Sequence, residues 1–76
     1  MIEMRINGTP AKIHVTKYRR AMCGEDADIE FEIYDEHANP APELQAWVNA
    51  LKGQALMDFY NEVTRKYIRM LAEENL

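Results

Sequence analysis

The stretch that decides the fold is a strict alternation of acidic and apolar residues at positions 28–34. It reads Asp28-Ile29-Glu30-Phe31-Glu32-Ile33-Tyr34. A period of two is the pattern of a half-buried β-strand, because successive side chains point to opposite faces of a sheet. Ile29, Phe31 and Ile33 are therefore predicted to face a core, while the acids form a row on the other face.

Charge is concentrated around this strand. The chain has 76 residues, with nine Lys or Arg, thirteen Asp or Glu and a net charge of −4. Residues 1–24 hold five bases and one acid, whereas residues 25–36 hold seven acids and no base. The acidic total argues against a duplex DNA binder, which needs surface that neutralises phosphates. We expect one domain, 1–76, with a modest core that association would help to stabilise.

Two further alternations predict a hairpin before this strand. In the first strand Ile2, Met4 and Ile6 alternate with charged residues. In the second, residues 11–18, Ile13 and Val15 are expected to face inward, and the outward set is Lys12, His14, Thr16 and Tyr18. Asn7-Gly8 is a strong hairpin signal because both residues tolerate positive φ. Pro10 suggests a loop slightly longer than two residues. The third strand is predicted over residues 27–34.

From Pro42 onward the apolar period becomes helical. A first stripe consists of Leu44, Val48, Leu51 and Ala55. A second stripe, rotated by roughly 100° from the first, consists of Leu56, Phe59, Tyr60, Val63, Tyr67, Met70 and Leu71. Gly53 lies at the changeover, so two helices, or one sharply bent helix, should meet there. Asn39 is the candidate N-cap.

These elements predict an α+β fold. It consists of a three-stranded antiparallel sheet followed by a C-terminal helical segment that bends or breaks near Gly53. The segment covers one face of the sheet and leaves the other face wet.

No motif for catalysis or for metal binding is present. Cys23 is the single cysteine, and His14 and His37 are isolated, without the spacings of a zinc site. Arg19 and Arg20 could lower the pKa of the Cys23 thiol, but a nucleophile would also need a base. We therefore expect a protein that is not an enzyme, with no cofactor and no metal.

The expected location is the cytoplasm. A single cysteine fits a reducing compartment. The first residues alternate charged and apolar side chains, unlike a signal peptide. No apolar run approaches the roughly 18 residues of a membrane span.

The acidic row is the leading candidate for a partner-binding surface. Its members are Asp28, Glu30, Glu32, Asp35 and Glu36, and it would associate quickly and salt-dependently with a basic surface. The alternative interpretation is a solvated sheet face whose acids pair with Lys12 on the neighbouring strand.

Two other surfaces give competing functions. A dimeric nucleic-acid-binding regulator would use the bases Lys17, Arg19, Arg20, Arg65, Lys66 and Arg69. A dimer seam, or a contact within a larger assembly, would use Tyr60, Val63, Tyr67 and Met70. Trp47 is expected to pack at the edge of the core, with an interface anchor as the alternative. Direct nucleic-acid binding is the less favoured function.

Several segments together resemble short accessory proteins of phages and prophages. They are Ile6-Asn7-Gly8-Thr9-Pro10, Ile13-His14-Val15-Thr16, Asp28-Ile29-Glu30-Phe31-Glu32-Ile33-Tyr34-Asp35 and Asn39-Pro40-Ala41-Pro42-Glu43-Leu44. Proteins of that kind begin with a hairpin, add an acidic alternating strand that ends in Asp, and enter a helix through an Asn-Pro turn. The resemblance covers residues 1–44.

The resemblance implies a function that the composition does not. It implies a small non-enzymatic protein that inhibits a host defence complex, such as a CRISPR effector or a restriction enzyme, in the host cytoplasm. Inhibition would come from occupying a nucleic-acid channel or a subunit interface. The expected partner is a host protein or ribonucleoprotein complex, and no membrane is involved.

Overall fold

The computed structural model describes residues 1–20 and 28–74. In chain order the elements are β1 (Ile2–Ile6), β2 (Thr9–Arg19), β3 (Asp28–Asp35), α1 (Pro42–Asn49) and α2 (Gly53–Glu74). The strands form one antiparallel sheet in the order β1-β2-β3. The predicted α+β fold is confirmed, with two helices that meet near Gly53 rather than one bent helix.

The core lies between one face of the sheet and the two helices. Its buried side chains are Ile2, Met4, Ile6, Ala11, Ile13, Ile33, Val48, Phe59 and Val63. Glu3 and Arg5 alternate with the buried residues of β1 and are exposed. Ile29 and Phe31 on β3 are half-buried against this core. The period-two pattern therefore predicted the inward faces of β1 and β3 correctly.

The first hairpin is tighter than the sequence predicted. Its loop is the two residues Asn7 and Gly8, whose φ angles are 51° and 77°. Positive φ at both central residues is the geometry whose twist matches that of the flanking strands. Pro10 belongs to β2, opposite Arg5. In a two-residue hairpin this is a pair whose N–H groups point away from each other, so the proline costs no hydrogen bond to β1.

A β-bulge in β2 corrects the predicted orientation of Tyr18. The register shifts between Val15 and Lys17, so that Thr16 is the extra residue, and its hydroxyl donates to the backbone carbonyl of Glu30 at 3.2 Å. Beyond the bulge the alternation changes phase. Tyr18 consequently faces the helices, where its ring meets that of Tyr67 edge-on at 5.4 Å. The prediction that Tyr18 faces outward was wrong.

The entry into α1 also differs from the prediction. Ala41, not Asn39, is the N-cap, and it makes no capping hydrogen bond through its side chain. Pro42 opens the helix, where its missing N–H would lack an intrahelical partner in any case. Gly53 has φ +61° and opens α2. This left-handed conformation, which glycine adopts without strain, turns the chain between the two helices.

Candidate functional site

The outer face of the sheet, away from the helices, carries the charged residues of all three strands except Asp35, which is in phase with the inward residues of β3. The β3 residues on this face are Asp28, Glu30, Glu32 and Tyr34, which alternate with the inward apolar residues. Because of the bulge, Lys17 and Arg19 of β2 lie on the same outer face, opposite Glu30 and Asp28. The outer face is therefore banded, with a basic row along β2 beside an acidic row along β3.

One end of the acidic row is paired with the basic row. The ammonium of Lys17 lies 3.8 Å from the Asp28 carboxylate, and both side chains are largely exposed. An exposed pair of this kind stabilises a protein by at most about 1 kcal/mol, so a partner could displace it. Lys12, which the sequence offered as the counter-ion of the acids, lies instead 4.0 Å from Glu3 on β1.

The middle of the row is the most available part. Glu30 is exposed, and its side chain has no hydrogen bond or ion pair to any residue within 1–20 and 28–74. Glu32 is also exposed and accepts a hydrogen bond from the Tyr34 hydroxyl. That hydrogen bond to the carboxylate is the main reason that the pKa of Tyr34 is raised.

Asp35 has a structural role at the end of β3. Its carboxylate accepts the backbone N–H groups of His37 at 2.8 Å and of Asn39 at 2.9 Å. The hydrogen bond from the Asn39 N–H is the largest cause that lowers the pKa of Asp35, and desolvation opposes it. Asp35 thus closes the turn that leads to α1 instead of extending the acidic row. Its neighbour Glu36 is exposed and lies 3.6 Å from the His37 imidazole.

Among residues 1–20 and 28–74, none pairs with the outer edge of β3 over most of its length. At its end, the Asp35 N–H donates outward to the Asn39 carbonyl at 2.8 Å, and Pro40 bridges to Tyr34. On the side of β3 that faces β2, the Glu30 carbonyl accepts a hydrogen bond from the Thr16 hydroxyl. Alternate residues of a strand direct their backbone groups to opposite sides, so Ile29, Phe31 and Ile33 direct theirs outward. Within the described chain no other strand pairs with them.

A groove of ≈ 360 Å³ runs between this edge and the helices. Its polar lining residues are Glu30, Gln45 and Asn49, and its apolar and aromatic lining residues are Ile29, Phe31, Val48, Leu51, Leu56 and Tyr60. The Phe31 ring lies 5.9 Å from that of Phe59 and 5.4 Å from that of Tyr60. On the far side, the Gln45 amide donates to the Asn49 side chain at 3.0 Å.

The residues proposed for a dimer seam occupy different environments. Val63 is fully buried in the core, so it offers no surface to a second molecule. Tyr67 is half-buried against Tyr18, and Met70 packs against the core. Tyr60 is 38% exposed and lines the groove. Trp47 is 37% exposed and lines a separate depression beside β1.

The two groups of basic residues do not form one surface. Arg65, Lys66 and Arg69 line a shallow depression on α2 together with Glu62. Lys17 and Arg19 lie on the opposite face of the sheet from the helices, because Tyr18 between them packs against α2. Within one molecule, a single nucleic-acid interface could not use both groups at once, and the dimeric regulator stays a prediction.

Some predicted positions lie outside the described residues. They are Cys23, with its proposed reactivity, and Glu25 and Asp26, which would have extended the acidic stretch. Within residues 1–20 and 28–74, no three His, Cys, Asp or Glu side chains are grouped so that they could hold a metal ion. None of the helices formed by these residues is both long and apolar enough to cross a membrane.

Comparisons of this chain with protein-family models, with curated proteins and with solved structures found no match. The site therefore rests on its own geometry. Sequence reasoning found the acidic row but missed the groove and the amide side chains of Gln45 and Asn49. The strand order offered a partial signal, since the last strand of a three-stranded meander lies at an edge of its sheet.

Proposed function

We propose that this protein is a non-catalytic binding protein of the phage type, which inhibits a host complex that processes nucleic acid or provides defence. The acidic row on β3 would occupy a basic surface that otherwise holds DNA or RNA. A CRISPR effector or a restriction enzyme in the host cytoplasm is the kind of target that the resemblance suggests. Occlusion by shape and charge would suffice, so no chemical step is required of the protein.

The observation that carries this proposal is the exposed middle of the acidic row. Among the described residues, the Glu30 side chain has no hydrogen-bond or ion-pair partner, and the Glu32 carboxylate has only the Tyr34 hydroxyl. Carboxylates two residues apart on a strand lie about 7 Å apart along it, so each can meet a different Lys or Arg. Attraction of this type accelerates association and weakens as salt is added.

The five acids proposed for binding have different roles in this interpretation. Glu30 and Glu32 would make the main contacts. Asp28 and Glu36 would contribute after giving up weak exposed pairs with Lys17 and His37. Asp35 would act indirectly, because its carboxylate fixes the turn after β3 and therefore the direction in which Glu36 projects.

The test measures protection of phage in living cells. Bacteria with an active CRISPR or restriction system express this protein, and the efficiency of plating of a targeted phage is counted. We expect the wild-type protein to raise plating and the double variant Glu30→Lys/Glu32→Lys to lose that effect. The matched control Glu73→Lys/Glu74→Lys changes the net charge equally at the end of α2, away from the acidic row.

Two results would contradict the proposal. One is full protection by the double variant at equal protein level, which would remove the acidic row from the mechanism. The other is that the wild-type protein protects phage from none of the CRISPR and restriction systems tested. Circular dichroism of each purified variant checks that its fold is retained.

A further inference from the structure

The feature that the proposed function leaves unused is the outer edge of β3, which no strand of the described chain pairs with, together with the groove beside it. We propose that this edge accepts an extended segment of the partner as a fourth strand, and that the segment alternates basic and apolar residues. The inference rests on the proposed function, since it specifies how a partner would engage the acidic row.

The backbone of β3 offers the hydrogen bonds for such a strand. Ile29, Phe31 and Ile33 direct their N–H and C=O groups to the outer edge, as the bonds of Asp35 and Glu30 on either side of the strand require. The edge closes at Tyr34, where Pro40 of the same chain bridges to it. A segment of about six residues would fill the open length, because each residue spans about 3.3 Å.

The side chains around the edge specify the sequence of that segment. Side chains of an added strand alternate between the two faces of the sheet. On the helix side they would enter the groove next to its apolar residues Phe31 and Leu56. On the outer side they would lie next to Glu30 and Glu32. Apolar residues alternating with Lys or Arg satisfy both faces at once, which is the usual division between backbone affinity and side-chain specificity in strand addition.

The same charges argue against a second copy of this chain as the occupant. Two β3 strands pairing antiparallel across a twofold axis would bring the acidic rows of both copies side by side. Like charges facing each other across strands destabilise a sheet. Charged residues on an edge strand are a common device against self-pairing, and here Glu30 and Glu32 would supply it. The edge is thus selective for a basic strand.

The experiment uses the full chain and a synthetic peptide, acetylated and amidated, with the alternating sequence Lys-Val-Lys-Val-Lys-Val. The control peptide Lys-Lys-Lys-Val-Val-Val has the same composition and charge. Amide hydrogen exchange followed by NMR reports which backbone groups become protected. We expect the alternating peptide to slow exchange at Ile29 and Phe31 by at least about tenfold. Glu30 and Glu32 direct their N–H groups towards β2, so their exchange rates should change far less.

Variants of the protein separate the two proposals. Glu30→Lys replaces attraction by repulsion and should weaken binding of the alternating peptide by roughly fivefold or more. Glu73→Lys, with the same change of net charge, should bind it as the wild type does. Binding that depends on Glu30 without protection at Ile29 and Phe31 would overturn strand addition but leave the acidic surface intact. Binding that ignores Glu30→Lys would count against both proposals.

The remaining outcomes also decide the question. Equal binding of the alternating and grouped peptides would overturn the requirement for an extended partner strand. Absence of binding by the alternating peptide up to millimolar concentration would do the same. Protection of Ile29 and Phe31 that appears without peptide and increases with protein concentration would identify a second copy as the occupant, against the charge argument.

Discussion

Val63 was predicted to lie in a dimer seam, but in the structure it lies in the core, and the substitution Val63→Ala tests which role it has. The side chain is 0% exposed and lies among the buried residues between α2 and the sheet. The change removes two methylene equivalents, at about 0.8 kcal/mol each for transfer from water, and leaves a cavity. We expect a loss of about 2–3 kcal/mol from a domain whose total stability is of the order of 4–11 kcal/mol.

Urea denaturation followed by far-ultraviolet circular dichroism measures this loss, at two protein concentrations about twentyfold apart. Ile68→Ala is the control, because Ile68 is 48% exposed on the same helix and should cost no more than about 0.5–1 kcal/mol. Two results would refute the reasoning. One is an equal cost for both substitutions. The other is a wild-type midpoint that rises with concentration and a Val63→Ala midpoint that does not, which would place Val63 in a subunit interface.

Three further substitutions test the turns and the bulge. Asp35→Asn should flatten the acid limb of the stability curve. Because the pKa of Asp35 is lowered in the folded state, its contribution to the free energy of unfolding is complete above about pH 3.8 and is lost as the pH falls through the folded-state pKa. Urea midpoints of the variant and the wild type across that pH range would show this difference. Gly8→Ala should cost about 1 kcal/mol, because φ is +77° there and a side chain is disfavoured although space is open; an unchanged melting temperature would contradict this. Thr16→Val should lower the free energy of unfolding by about 1 kcal/mol, because the hydrogen bond to the Glu30 carbonyl is lost. It should also speed amide exchange around the bulge. An unchanged exchange rate would show that the hydroxyl does not hold the bulge in place.

The parts of the fold that the sequence predicted are those in which one local pattern decides the structure. The alternation over residues 28–34 predicted β3, and Asn7-Gly8 predicted the hairpin. Two apolar stripes with different azimuths predicted that the helical segment bends or breaks near Gly53, and the structure has the break. In each case the local preference and the burial of apolar side chains favour the same conformation, which is the condition for reliable inference from sequence.

The parts that it missed depend on contacts between distant segments. Tyr18 was assigned to the outer face because the alternation of β2 was extended without the bulge at Thr16. Asn39 resembles an N-cap, but its backbone is engaged by Asp35 across the turn. The groove exists only because α1 and α2 pack beside the edge of β3. None of these features has a periodic signature in the sequence.

The bulge also determines which acids remain available to a partner. It places Lys17 on the outer face, where it lies beside Asp28 and weakens the negative potential at that end of the acidic row. The turn at the other end engages the Asp35 carboxylate with two backbone N–H groups. Among the described residues, the carboxylates of the outer face that lack an ion-pair partner thereby include Glu30 and Glu32, in the middle of β3 and near the groove. A partner that used charge alone would contact only these carboxylates, whereas a partner strand would use the charge, the backbone and the groove together.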